Sequence, residues 1–303
     1  MNWLVLSLLS SLFLGLYEIA KKESLRENAV PPVLFFNVLT STLVYLPILL
    51  LSQVDGGSMA AEWLVVDPLT WRDHGFLAAK SLLAGSSWIF ASFALKHLPV
   101  SIAAPIRASS PFVTILVAVV FMQERPTPGQ WAGIGVVLTA FYAFSLVGRK
   151  EGLVFHRNRW IACMAMATIL GACSALYDKY LLNTCGYRAA TVQAWFSIYL
   201  VPVMLPLLLH WYLRQRRQSP FEWRWSIPMI ALLLLVSDFL YFYAVEQPGA
   251  LISLISPLRR TSVIIAFIAG IRLYGEQNWK AKAICIAAMM LGIGIITAFS
   301  LPK

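Results

Sequence analysis

Pro105-Ile106-Arg107-Ala108-Ser109-Ser110 returns later in the chain as Pro257-Leu258-Arg259-Arg260-Thr261-Ser262. Each stretch lies inside an apolar run and places arginine where hydrocarbon normally forbids it. A glutamate follows each proline, Glu124 after Pro105 and Glu276 after Pro257, so both landmarks recur after 152 positions. In a chain of 303 residues that offset is close to half the length. Such spacing points to two related halves, with a buried charge in each.

Working outward, composition decides the class. Hydrophobic residues make up 59% and charged residues 13%, where soluble domains have about half and about a quarter. The mean hydropathy is +0.72. Apolar residues gather in blocks of roughly 18–23, long enough to cross a hydrocarbon core of about 30 Å. The expectation is an all-α, multi-pass membrane protein of the bacterial inner membrane, in contact with lipid. The net charge of +10 is not a nucleic-acid footprint. Its basic residues cluster in short connections, such as Lys21, Lys22 and Arg26, or Arg214, Arg216, Arg217 and Arg224. That is where charge sets membrane orientation.

Cys163, Cys173, Cys185 and Cys285 lack Cys-x-x-Cys spacing and read as small apolar filler. The opening Met1-Asn2-Trp3 has no basic n-region, so the first run reads as a retained helix rather than a removed signal peptide.

Ten apolar segments follow, at about 2–20, 32–52, 74–96, 100–122, 129–147, 160–182, 188–211, 225–245, 249–271 and 279–300. The polar, basic stretch 148–159 is the seam, giving five-helix units at 2–147 and 160–300. Leu16-Tyr17-Glu18 in the first is answered by Leu176-Tyr177-Asp178 in the second. An odd number of crossings per unit makes the second enter from the opposite face. The expectation is therefore ten transmembrane helices in two inverted five-helix repeats, the plan of an alternating-access carrier.

Several motifs carry a resemblance. They are Ala94-Leu95-Lys96-His97-Leu98-Pro99-Val100-Ser101-Ile102-Ala103-Ala104-Pro105, then Glu124-Arg125 with Gln130-Trp131. A weaker echo follows in Glu246-Gln247-Pro248-Gly249-Ala250 and Gly275-Glu276. On these the chain resembles the EamA branch of the drug/metabolite transporter superfamily, over nearly its whole length. The resemblance implies ten helices, inverted repeats and a central cavity walled by helices three, four, eight and nine, with one and six contributing. It also implies cytoplasmic termini. The charge count points the other way: the odd-numbered links hold nearly all the basic residues, which places both termini outside.

Buried charge supplies the candidate site. Arg107, Arg259 and Arg260 lie a third to half of the way across their segments, with Pro105 and Pro257 freeing backbone carbonyls nearby. They either bind an anionic group or lock helices together. The candidate counter-charges are Glu18, Asp178 and Asp238, with Lys80 as a further cation. Lys21 and Lys22 can satisfy Glu18 locally at i+3 and i+4. Asp238 has no local partner, and it or Asp178 can bind a cationic group or exchange a proton. Trp88, Trp195, Tyr17, Tyr177 and Tyr241 either wall a cavity or simply pack. Trp63, Trp71, Trp160, Trp223, Trp225 and Trp279 fall near segment ends as interfacial anchors. Glu124 and Glu276 read as caps for the helices that follow them. The histidines are scattered and suggest no metal site.

Neither a nucleotide-binding loop nor a nucleophile–base pair is evident, so no cofactor, catalytic residue or enzyme activity is expected. The expected function is secondary transport of a small polar metabolite, an amino acid or related zwitterion or anion. A proton gradient or exchange would drive it, through a monomer or homodimer. A broad exporter of drugs or toxic metabolites, using the aromatic wall, is the alternative. A membrane-embedded enzyme or a receptor is the alternative of another class.

Overall fold

The computed structural model describes residues 2–54, 62–98, 106–107, 109–147, 159–265, 268 and 279–300. Pro105, Ala108, Glu276 and the seam at 148–158 lie outside the described residues.

These residues form α1 (Trp3–Leu25), α2 (Val30–Val54), α3 (Trp71–His97), α4 (Ser110–Val120) and α5 (Pro128–Val147). After the seam come α6 (Arg159–Lys179), α7 (Ala189–His210), α8 (Ser226–Glu246), α9 (Ile252–Arg259) and α10 (Trp279–Ala298). Six are long and apolar enough to cross a membrane: α1, α2, α3, α6, α7 and α8, the second, sixth and seventh with slightly different limits. In hydrocarbon a helix satisfies its backbone internally, so a nearly all-apolar sequence folds this way without a polar outer face. Leu43, Leu50, Leu116, Leu213 and Leu291 accordingly stay exposed.

Local chemistry sets the boundaries. Helix α3 starts at Trp71, three residues before the expected His74, because Thr70 and Asp73 form a capping box ahead of it. Helix α1 runs on to Leu25, so Lys21 and Lys22 sit on the helix instead of in the link. The two arginine stretches lie at helix interruptions. Arg260 N–H donates to Pro257 O at 3.1 Å and Thr261 N–H to Leu258 O at 3.1 Å, i→i−3 bonds that tighten the chain just after α9. Ser109 N–H donates to Ile106 O at 3.1 Å in the same manner before α4.

Nearly all the extensive packing joins helices from opposite halves: α1 on α8, α3 on α6, α2 on α7, α5 on α10 and α4 on α9. The next pairings are α3 on α7, α2 on α8, α4 on α6 and α1 on α9, with α7 on α8 of similar extent within the second half. Exchanging every helix for the one five places away leaves these cross-half pairings unchanged. Small and hydroxylated residues let the helices approach. Across α1 and α8, Ser10 Oγ donates to Ser237 O at 2.8 Å and Ser237 Oγ to Ser10 O at 2.9 Å. Across α3 and α6, Ser87 Oγ donates to Ala167 O at 2.7 Å. Where α5 crosses α10, a Cβ on Gly133 would lie 2.6 Å from Ile296 Cγ1, and one on Gly292 would lie 2.7 Å from Val137 Cγ2. Only hydrogen fits there.

The connections meet at two ends. At the first, Asn28 Nδ2 donates to Glu222 O at 2.8 Å and Arg224 Nη1 to Arg26 O at 2.7 Å, tying the link after α1 to the link before α8. At the second, Tyr187 O–H donates to Asp73 Oδ1 at 2.5 Å, and Ala189 N–H donates to Glu246 Oε2 at 3.0 Å.

Glu124 belongs to the second end and corrects an expectation. It does not cap α5, which follows it; it caps α9, in the other half. Its carboxylate accepts from Ile252 N–H at 2.8 Å, Ser253 N–H at 3.0 Å and Ser253 Oγ at 2.5 Å, and pairs with Lys179 at the end of α6. A helix N-terminus presents unpaired N–H groups and partial positive charge to whatever carboxylate the fold brings close. Sequence adjacency suggested α5, but packing of α4 on α9 decides it.

Candidate functional site

A central cavity of about 1470 Å³ opens among α1, α3, α4, α6, α8 and α9. Lys21 to Glu23, Leu25 to Asn28 and Gln218 to Pro220 line its mouth at the first end. Among the described residues, no part of the links after α2, α4, α6 or α8 lines it. The links that line the cavity, among the described residues, thus belong to the first end and none to the end held by Glu124.

Its deepest charges form one continuous set. Lys80 of α3 pairs with Asp178 of α6 at 2.5 Å, both side chains 4% exposed. Lys80 Nζ also donates to Ser174 Oγ at 2.5 Å and lies 5.2 Å from the Phe196 ring centroid. Asp178 Oδ2 accepts from Tyr241 O–H at 3.3 Å. The Tyr241 ring in turn faces the Arg259 guanidinium at 4.1 Å, and Arg259 pairs with Asp238 at 2.7 Å. An ammonium, two carboxylates, a phenol and a guanidinium thus meet in a low-dielectric interior, where each strengthens the next.

Nearer the mouth, Arg107 pairs with Glu18 at 3.3 Å. Thus Glu18 reaches across to the other arginine stretch, while Lys21 lies 5.5 Å from the Tyr17 ring. Asp238, without a partner on its own helix, finds one 21 residues on. Arg260 is different: it lines the cavity with no ion pair among the described residues, and its buried Nε has no hydrogen-bond partner. Gly15 allows the turn after Arg260 to approach α1, since a Cβ there would lie 2.8 Å from Ser262 O.

Of the sequence-predicted residues, Arg107, Arg259, Arg260, Asp238, Asp178, Glu18, Lys80, Trp88, Tyr17 and Tyr241 all line this cavity. Trp195 and Tyr177 do not, which corrects their assignment to its wall. Trp195 packs edge-on against His74 at 4.3 Å and stacks with Tyr199 at 5.7 Å. Tyr177 donates its hydroxyl to Phe76 O at 3.3 Å and stacks on Tyr180 at 5.8 Å. Tyr177 turns toward Phe76 on α3, while its neighbour Asp178 points into the cavity. Sequence reasoning missed Ser174, Phe196, Phe242 and Ser92. The i, i+4 spacing of Ser174 and Asp178 was the available signal for one of them. Ser92 is 1% exposed, lines the cavity, and its hydroxyl has no partner among the described residues.

Apolar helices of membrane-spanning length from both halves, packed around a charged cavity, are those of a multi-pass membrane protein. More particularly, residues 1–146 are similar to the model of the EamA-like transporter family. That family falls within the drug/metabolite transporter superfamily. A solved protein crystal structure shares the fold with a TM-score of 0.71 at 16% identity, over 98% of this chain and 97% of that one. In all, 29 chains of solved structures match. No curated protein matches.

Proposed function

We propose that this protein is a membrane transporter that carries a small anionic or zwitterionic metabolite, such as an amino acid, by alternating access. The observation that carries the proposal is the Arg260 guanidinium, which has no ion pair among the described residues, in a cavity with excess positive charge. Eight basic side chains line it against five acidic ones among the described residues. A cation so placed is poised to receive a carboxylate or phosphate, and guanidinium geometry favours a planar, two-point contact.

The proposed architecture is ten crossings in two inverted five-helix repeats, supported by the pairing pattern that survives exchange of the halves. The basic links at the cavity mouth favour that end as the cytoplasmic side of the bacterial inner membrane. Arg107 and Arg259 complete the anion site, and Asp238 or Asp178 receives a cationic group or a proton. The driving force is a proton gradient or exchange. Tyr17, Trp88, Phe196, Tyr241 and Phe242 line the same cavity, so a broad exporter of drugs or toxic metabolites is the alternative reading.

Uptake by proteoliposomes across amino acids, phosphorylated metabolites and organic cations tests the proposal. Anions or zwitterions should be carried, and Arg260→Gln should reduce their uptake at least tenfold. Uptake of organic cations alone, or wild-type rates in Arg260→Gln, Arg107→Ala and Arg259→Ala, would reject it.

A further inference from the structure

We infer that the elbow between α7 and α8 binds the phosphate of an anionic phospholipid through Arg214, Arg216 and Arg217. The inference needs only a membrane-spanning chain and stands apart from the anion site proposed inside the cavity.

Length places this elbow at the headgroups. The apolar run that contains α7 extends over Ala189–Gln215, 27 residues. At about 1.5 Å per residue it measures about 40 Å, against a hydrocarbon core of about 30 Å. An ordinary tilt of about 20° shortens its span by only ~2 Å. At the second end Arg188 precedes the helix and pairs with Asp67, which marks that face. The surplus turns therefore emerge at the first end and carry His210 and Arg214 out of the hydrocarbon. Helix α8 begins again at Ser226, just after Trp225.

Between the two helices the chain folds tightly. Gln218 N–H and Ser219 N–H both donate to Gln215 O at 3.0 Å, and Trp211 Nε1 donates to Ser219 O at 2.9 Å. Phe221 stacks on Phe36 of α2 at 5.5 Å, and Trp223 meets the same ring edge-on at 5.6 Å. These contacts use the inner side of the elbow. The outer side presents Tyr212, Leu213, Arg214, Arg216, Arg217 and Trp225, all exposed. Leu213 is 77% exposed and Trp225 81%.

The charge on that side has one sign. None of the three arginines has an ion pair among the described residues, and Glu222, the only acid from Trp211 to Trp225, is paired with Arg224. The Arg216 guanidinium lies 5.2 Å from the Tyr212 ring centroid, which steadies it. Guanidinium forks take phosphate oxygens two at a time. Tyrosine and tryptophan settle where hydrocarbon meets headgroup. A nucleic acid or an acidic soluble protein would satisfy the arginines but leave Leu213 and Trp225 in water. A phospholipid satisfies both kinds of side chain. Gln218 to Pro220 of the same elbow line the mouth of the cavity, so the bound headgroup sits at its rim.

Native mass spectrometry of the purified full chain tests the site, with phosphatidylglycerol and phosphatidylcholine of identical acyl chains in competition. Phosphatidylglycerol should be retained in preference. Arg216→Gln with Arg217→Gln should cut that preference by roughly fivefold for each charge removed. Arg72→Gln with Arg125→Gln removes the same charge at the second end and should leave most of the preference in place. All four side chains are exposed, so neither pair should shift thermal unfolding. Equal retention of the two lipids by the wild-type chain would overturn the inference whatever the variants do. An equal loss in the two double variants would overturn the elbow as the site and leave only the general positive charge of the protein.

Discussion

Replacing Glu124 with glutamine tests whether one carboxylate holds the second end of the bundle together. Its side chain, 2% exposed, accepts three hydrogen bonds from Ile252 and Ser253 and pairs with Lys179. Glutamine keeps the volume and one acceptor oxygen but removes the charge and the second acceptor. Breaking a buried pair by neutralising one partner costs about 3–5 kcal/mol, because the other charge is stranded. Lys179 keeps 16% exposure and can recruit water, which argues for about 3 kcal/mol. Thermal unfolding of the purified protein should register a loss of that order for Glu124→Gln. Lys179→Met should cost less, since Glu124 then retains its donors at the start of α9. The double variant should be less destabilised than the sum by about 1–2 kcal/mol. Additivity to within about 0.5 kcal/mol would refute the coupling of α4, α6 and α9 through this carboxylate.

Other expectations follow from the same geometry. Lys80→Met strands Asp178 and should destabilise by about 3–5 kcal/mol, whereas Lys80→Met with Asp178→Leu should recover much of the loss; unfolding by denaturant measures both. Gly133→Val forces a side chain against Ile296 on α10, so about 1–3 kcal/mol of stability should be lost, and Gly135→Ala, open on that side, should be tolerated. A C-terminal reporter active only in the cytoplasm should stay silent if the basic links face inward; activity would reverse the proposed orientation and put the cavity mouth outside. A cysteine at Gln218, at the mouth, should react with a hydrophilic thiol reagent in the empty protein and be protected by a bound probe too large to pass.

Much of the site was legible because charge in a hydrocarbon-crossing segment has few explanations. Arg107, Arg259, Arg260, Asp238, Asp178, Glu18 and Lys80 stand out in the sequence against their apolar flanks, and all seven line the cavity. Their partners were not legible. Glu18 chooses Arg107 over the nearby lysines, and Lys80 chooses Asp178, because helices from opposite halves bring those side chains together. Aromatic residues were the least legible: their chemistry suits packing, interface and ligand alike, so only position separates Trp88 from Trp195.

The sequence by itself determined the solvent and the element type. A composition this apolar, in blocks of membrane length, leaves helices as the economical way to satisfy the backbone, and recurring landmarks mark two halves. Only the tertiary structure decided which charge neutralises which, and which is left over. Arg259 and Arg260 are identical in type and adjacent in sequence, yet one is paired with Asp238 and the other has no ion pair among the described residues. The difference arises because successive helical residues project toward different neighbours, and the neighbours come from helices far away in the chain.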